Sequence, residues 1–247
     1  MSEFSGKRYW LVGASEGLGR ALAARLAREG VRLVLSARNR DRLEELASEL
    51  PEGADIVPLD ISDLKAVQAA RAEVGEIDGL IFIAGVYWPQ RTQDWNAEQV
   101  EAMCDINFTG AARVLGTVVP GFAARDRGHV VIIGSLSGFR GLPRALGYGA
   151  SKAAVMHLAE NLRADLHRTA VRVQLINPGF IRTRLTEKND FAMPFIVSPE
   201  KAADLTLAGM RARRFQTNFP RVFSWVFRVS QLLPAPLYFA VFGARTR

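Results

Sequence analysis

The sequence predicts a doubly wound α/β fold, a parallel sheet of six to seven strands with helices on both faces and an extra helical tail at the C-terminus. Two observations predict it. Short runs rich in β-branched and aromatic residues recur along the chain, and stretches of crossover-helix length separate them, which makes successive strands parallel. No internal repeat or Gly/Ser linker divides the 247 residues. The economical division is therefore one domain over 1–204 and a basic, apolar extension of it over 205–247.

The strands are expected at Tyr9–Val12, Val31–Leu35, Asp55–Pro58, Leu80–Ile83, Val130–Ile133 and Val171–Ile176. Between them, Ala21–Arg28, Asp41–Leu50 and Leu64–Val74 have helical length, and Asp41–Leu50 has an apolar period near that of an α-helix. Two longer helical regions follow, about Ala97–Ala124 and Tyr148–Arg168.

Composition narrows the function classes. The one cysteine, Cys104, has no partner for a disulfide and no second thiol for a zinc cluster, so a reducing compartment, the cytoplasm, is expected. The opening MSEFSGKRYW lacks the basic-then-apolar order of a secretory signal. Arg228 and Pro234 interrupt the most apolar region before it reaches the roughly 18 residues of a membrane-spanning helix. His129, His157 and His167 have no metal-ligand spacing, so no metal is assigned.

The net charge of +7 lies in the tail: from Leu205 onward there are seven arginines (211, 213, 214, 221, 228, 245 and 247) and no acid, which leaves 25 basic and 25 acidic residues before it. A neutral body argues against nucleic acid as partner. In 219–233, Arg221, Ser224, Arg228 and Gln231 form a narrow polar stripe, leaving Val222, Phe223, Val226, Phe227, Val229, Leu232 and Leu233 on a broad apolar face; Leu237–Phe242 follows a proline break. With Trp225, this is the pattern of a helix lying on an anionic membrane surface. A hairpin that covers the core or forms a dimer seam fits the same pattern.

The first strand runs into Gly13-Ala14-Ser15-Glu16-Gly17-Leu18-Gly19 and then a helix. Glycines let backbone approach a pyrophosphate, and a helix N-terminus offers unpaired N–H groups and a favourable dipole. An ordinary tight turn is the alternative, which the position after the first strand disfavours. The second strand ends in Ala37-Arg38, where NAD-preferring proteins place a carboxylate for the ribose 2′-hydroxyl; Arg38 pairs instead with a 2′-phosphate, or is a solvated charge at a helix start. Tyr148 and Lys152 stand four apart on a helical pattern, hence on one face. An ammonium beside the phenol is expected to lower its pKa and make Tyr148 a proton donor and acceptor, although a surface pair has the same spacing.

Ser135 lies thirteen residues before Tyr148 at the end of a strand, Asn107 lies in the long helix within Asp105-Ile106-Asn107-Phe108-Thr109-Gly110, and Asn177-Pro178-Gly179-Phe180-Ile181-Arg182-Thr183 follows the sixth strand. Together with the glycine turn, these resemble the short-chain dehydrogenase/reductase family, in its short single-domain branch, over about residues 7 to 200. The resemblance implies a Rossmann-type sheet with Tyr148 as acid/base. Lys152 would hold the nicotinamide ribose and tune Tyr148, Ser135 would bind the substrate carbonyl, and Asn107 would support a proton relay. It further implies cofactor contacts from Gly13, Ser15, Gly17, Leu18 and Gly19, from Asp60 and Ile61 at the adenine, from Ala84 and Gly85, and from Pro178, Gly179, Ile181 and Thr183 at the carboxamide. Two departures stand out: Phe82-Ile83-Ala84-Gly85 replaces the family's Asn-Asn-Ala-Gly, and Glu16 occupies a position where many NADP-dependent members carry a base. NADP is expected over NAD on Arg38, with Glu16 weighing against it.

The expected activity is interconversion of a carbonyl and an alcohol on a hydrophobic small molecule. Phe180–Val197 would form a lid in which Phe191, Met193, Phe195 and Ile196 line the substrate, with Phe139, Leu142, Tyr87 and Trp88 as further wall; equally, these residues pack the lid on the body. A homo-oligomer, dimer or tetramer, is expected, peripheral at the inner face of a membrane. Two alternatives compete with it: a catalytically silent nucleotide-binding or membrane-scaffolding protein, which has no chemical reason to keep the four catalytic residues, and a sugar-nucleotide epimerase or dehydratase, for which the chain is short.

Overall fold

The computed structural model describes residues 3–243. Seven parallel strands, β1 (Arg8–Val12), β2 (Arg32–Ser36), β3 (Asp55–Ile56), β4 (Gly79–Phe82), β5 (Gly128–Ile133), β6 (Val171–Pro178) and β7 (Gln216–Phe219), lie in the order β3-β2-β1-β4-β5-β6-β7. The register pairs Trp10 with Val34 on one side and Leu80 on the other, and Asn177 with Asn218 at the far edge. From β1 the chain winds outward through β2 and β3, then returns to lay β4 on the other side. A crevice therefore opens beyond the carboxyl ends of β1 and β4, at the switch point of the sheet.

Helices α1 (Gly17–Ala27), α2 (Arg40–Glu49), α3 (Leu64–Val74), α4 (Ala97–Cys104), α5 (Gly110–Ala124), α6 (Leu146–Asp165) and α7 (Pro199–Arg211) cover both faces. Because the central strands are buried on both sides, their residues alternate between two cores. Trp10, Leu80, Val130 and Val173 meet Val67 of α3, Val114 of α5 and Val155 of α6. Leu11, Ile81, Val131 and Ile176 meet Leu22 of α1, Leu46 of α2 and Leu207 of α7. Side-chain caps start several helices, as where Asn39 Oδ1 accepts from the Arg42 amide at 2.9 Å and Asn96 Oδ1 from the Gln99 amide at 2.9 Å.

The structure differs from the sequence expectation at several elements. The stretch from 205 onward, expected to be helical, also supplies strand β7, which closes the sheet beside β6. Helix α1 starts at Gly17, four residues before the apolar period begins, because the glycine turn itself forms its first turn. The long helical region over 97–124 is continuous but contains one π-helical turn at Asp105–Thr109, which carries Asn107.

The tail continues as α8 (Arg221–Ser230) and α9 (Ala235–Phe242). Ser224, expected on the narrow polar stripe, is buried, whereas Val222, Trp225 and Val229 are exposed. The Ser224 hydroxyl can turn inward because it donates to the Arg221 carbonyl at 2.8 Å, and Ser230 does the same to Phe227 at 2.7 Å. The hairpin is tied to the segment after β5: Arg140 donates to the carbonyls of Ser230 and Leu233, the latter at 2.8 Å, and Tyr238 Oη donates to Gly141 O at 2.6 Å. Arg245 and Arg247 lie outside the described residues. Among the described residues no helix is long and apolar enough to cross a membrane.

Candidate active site

The crevice is a cleft of about 1190 Å³, and all the residues expected to touch a cofactor line it: Gly13, Ser15, Gly17, Leu18, Gly19, Arg38, Asp60, Ile61, Ala84, Gly85, Tyr148, Lys152, Pro178, Gly179, Ile181 and Thr183. The glycine turn is shaped by backbone packing. A Cβ on Gly13, whose φ is +100°, would stand 2.5 Å from the Ala84 nitrogen, and one on Gly19 would stand 1.9 Å from Gly13 O. Helix α1 has no side-chain cap at Glu16, so no side chain of its own occupies its first N–H groups, and Gly17, Leu18 and Gly19 face the cleft. Uncapped amides at a helix N-terminus, in a cradle with no room for larger residues, fit a pyrophosphate.

At the adenosine end, Arg38 is exposed and has no hydrogen-bonded partner among the described residues. Asp60 accepts from the Ser62 amide at 2.9 Å and the Ser62 hydroxyl at 2.7 Å. The amide bond is the main reason its carboxyl sits below the usual range, with the Arg38 charge a smaller one. Glu16 does not stand alone: Arg42 pairs with it at 2.9 Å and Arg184 at 3.0 Å. Sequence reasoning missed Arg42, which lines the cleft one helical turn beyond Arg38. The Phe82-Ile83 departure is absorbed by packing, since Phe82 joins one core and Ile83 lines the cleft while packing on the other.

At the other end the four residues singled out for catalysis come together on separate elements. Ser135 follows β5, Tyr148 and Lys152 lie on α6, and Asn107 sits fully buried behind them. The π-turn points the Asn107 amide into the body, where Nδ2 donates to Val86 O at 3.0 Å and to Ser151 Oγ at 3.0 Å, and Oδ1 accepts from the Val86 amide at 2.7 Å. Ser151 in turn donates to Tyr148 O at 2.9 Å. Asn107 thus braces the backbone under Tyr148 through Ser151, a partner that one turn of helix hides from motif reasoning. Ser135 Oγ shares a hydrogen bond of 2.9 Å with Ser137 Oγ.

Lys152 is buried and donates one hydrogen bond, to Ile133 O at 3.0 Å. Burial pulls its pKa down to about 8. Its Nζ stands 5.9 Å from the centre of the Tyr148 ring. The expectation that it lowers the Tyr148 pKa is not met in this arrangement: burial pushes the phenol up, and the opposing influence comes from the Ser135 hydroxyl. Tyr87, 4.8 Å from the Tyr148 ring, is itself pushed up to about 12 by burial.

A second cavity, about 350 Å³, adjoins the cleft at Ser135, Tyr148 and Gly179. Its wall is largely apolar. Leu142, Tyr87 and Phe191 line it as expected, but Met193, Phe195, Ile196 and Phe139 do not, and Trp88 faces the cleft instead. The missing wall is supplied by Phe223, Val226 and Phe227 of α8 and Phe242 of α9. Phe195 lies outside, exposed, and stacks on Phe223 at 5.6 Å, while Phe223 meets Phe227 at 5.0 Å and Phe180 at 5.9 Å. The tail therefore belongs to the site.

Comparison with known proteins agrees with this arrangement. The profile of the short chain dehydrogenase family matches residues 7–193. A Myxococcus xanthus protein described as an uncharacterized oxidoreductase is 38% identical over 245 residues, covering 96% of this chain and 97% of its own. A Staphylococcus haemolyticus oxidoreductase is 34% identical over 209 residues, covering 83% of this chain and 90% of its own. Among solved structures, a short-chain dehydrogenase from Sphingobium yanoikuyae in complex with NADPH superposes with a TM-score of 0.82 at 28% identity, over 98% of each chain.

Proposed function

The chain belongs to the short-chain dehydrogenase family and is a NAD(P)-dependent dehydrogenase or reductase acting on a small molecule, and on that premise we propose that it uses NADP(H) to interconvert a carbonyl and an alcohol on a hydrophobic, lipid-like substrate. The observation that carries this reading is the junction of the cleft bordered by the glycine turn and the smaller apolar cavity at Ser135 and Tyr148.

In this reading the glycine turn holds the pyrophosphate, Asp60 and Ile61 border the adenine, and Arg38 takes the 2′-phosphate. Ala84 and Gly85 border the cofactor's middle, Tyr148 and Lys152 the nicotinamide ribose, and Pro178, Gly179, Ile181 and Thr183 the carboxamide. The Arg42 and Arg184 pairs support NADP, because they offset the Glu16 carboxylate that would repel a 2′-phosphate. The bound nicotinamide supplies or accepts the hydride.

The chain's own residues manage the oxygen and its proton. Ser135 Oγ donates a hydrogen bond to the substrate oxygen, and Tyr148 Oη gives it a proton in reduction or takes one in oxidation. Burial that keeps the phenol protonated favours the acid form that reduction requires. The Ser135 hydroxyl also bonds the phenolate left behind, Lys152 reaches the nicotinamide ribose, and Asn107, through Ser151, fixes the helix turn that carries Tyr148. The apolar cavity excludes water and accepts a hydrocarbon body rather than a sugar. In the same reading the protein is a cytoplasmic homo-oligomer whose tail meets an anionic membrane.

Initial rates of NADPH and NADH oxidation, with aldehydes and methyl ketones from propanal to dodecanal, test this. Rates that rise with chain length and favour NADPH are expected; turnover of sugars alone, or of no carbonyl, would contradict it.

A further inference from the structure

We propose that α8 and α9 form a two-faced wall: the inner face closes the apolar cavity, and the outer face rests on an anionic phospholipid surface, so that substrate passes from the lipid phase into the cavity. The inference rests on the carbonyl reading above for its substrate and on the tail's own geometry for its surface.

The inner face is settled by contact. Phe223, Phe227 and Phe242 line the cavity, and Ser224 and Ser230 are buried beneath α8. The outer face has no such cover. Of twelve large apolar side chains exposed among the described residues, eight lie between Val222 and Val241. Val222 is 71% exposed, Trp225 58% and Leu232 83%, values that a monomer rarely concentrates in one segment without a contact to make.

Charge selects the occupant. From Leu205 onward the sequence has arginines and no acid. On α8 both Arg221 and Arg228 are exposed, neither has an ion-pair partner among the described residues, and the Arg228 guanidinium lies 4.9 Å over the Trp225 ring. An aromatic ring with an arginine over it, amid exposed Val and Leu, matches the boundary of headgroup and acyl chain. Val226 joins the two faces, since it lines the cavity and is 45% exposed. The cavity mouth thus adjoins the surface that meets lipid.

The test uses the full chain. With phosphatidylglycerol vesicles it should co-sediment, and with phosphatidylcholine vesicles the bound fraction should fall severalfold. Trp225→Glu with Val229→Glu, both exposed and outside the cavity, should cut phosphatidylglycerol binding at least tenfold, while Trp225→Phe keeps it. The double variant should also lose most of the rate on decanal supplied in those vesicles, yet match the wild type on propanal in buffer. Protein that stays in the supernatant overturns the surface, as does gel filtration showing a dimer that the double variant splits without any lipid binding. Vesicle binding without reduction of either aldehyde upholds the surface and overturns the carbonyl reading.

Discussion

The cleft and the cavity share Tyr148 and Ser135, but they are built in opposite ways. At its phosphate end the cleft is shaped by backbone: a glycine turn in which a Cβ on Gly13 or Gly19 would clash, and an uncapped helix end. The cavity is lined largely by apolar residues, and one part of its wall, Phe223, Val226, Phe227 and Phe242, comes from a hairpin that follows the last strand. The difference teaches where each half of the function is fixed. A cofactor site written in backbone geometry is read from local motifs; a substrate wall supplied by a distant segment is free to vary without disturbing it.

The sharpest break falls at the shared boundary. Tyr148→Phe should lower kcat by about 10²- to 10⁴-fold, the range for a lost general acid, with NADPH affinity by fluorescence nearly unchanged. Undiminished turnover would remove Tyr148 from the chemistry.

Within the cleft, Arg38→Ala should weaken NADPH by roughly 10- to 150-fold, as expected for a charged hydrogen bond contributing about 1.5 to 3 kcal/mol, and leave NADH almost untouched. Equal loss of both cofactors would show that Arg38 holds the fold of the turn rather than a phosphate. Glu16→Gln should act in the opposite direction, strengthening NADPH by a few-fold as Arg42 is released to a 2′-phosphate. Isothermal titration of both nucleotides would read this directly.

The contrast extends to stability. Lys152 is buried with one hydrogen bond, so its charge costs the free protein stability. Its pKa lies near 8 in the folded chain against an ordinary value near 10.5, so the unfolded chain binds the extra proton between those pH values. Wild-type stability should therefore rise with pH across that window, and the penalty is complete below it. Lys152→Met should melt higher than wild type at pH 7, by up to about 3 kcal/mol, and the gap should narrow by pH 10. A gap that stays constant with pH would assign the difference to packing.

Sequence patterns revealed the two halves unequally for the same physical reason. Strands β1, β4 and β5, the glycine turn and the Tyr148-Lys152 spacing were legible because neighbours in sequence create them. Strand β7 was not, since Gln216-Thr217-Asn218-Phe219 is short and polar and becomes a strand only by pairing with β6. The α8 helix was legible but its orientation was not. A buried serine that satisfies its hydroxyl on its own helix departs from the stripe that polarity alone assigns, whose Arg221, Arg228 and Gln231 stay exposed, and leaves part of the apolar face outward. Ser151 and Arg42 were invisible because each acts through a residue distant in sequence, Asn107 and Glu16.

The most direct measurement replaces the cavity wall while leaving the cleft intact. Phe223→Ala with Phe227→Ala should raise KM for decanal by about tenfold or more, from lost apolar contact of two aromatic side chains, while the NADPH dissociation constant stays within about twofold of wild type. If cofactor binding and decanal KM move together, or decanal KM does not move at all, the tail is not the substrate wall and the division between a backbone-built cleft and a side-chain-built cavity is wrong.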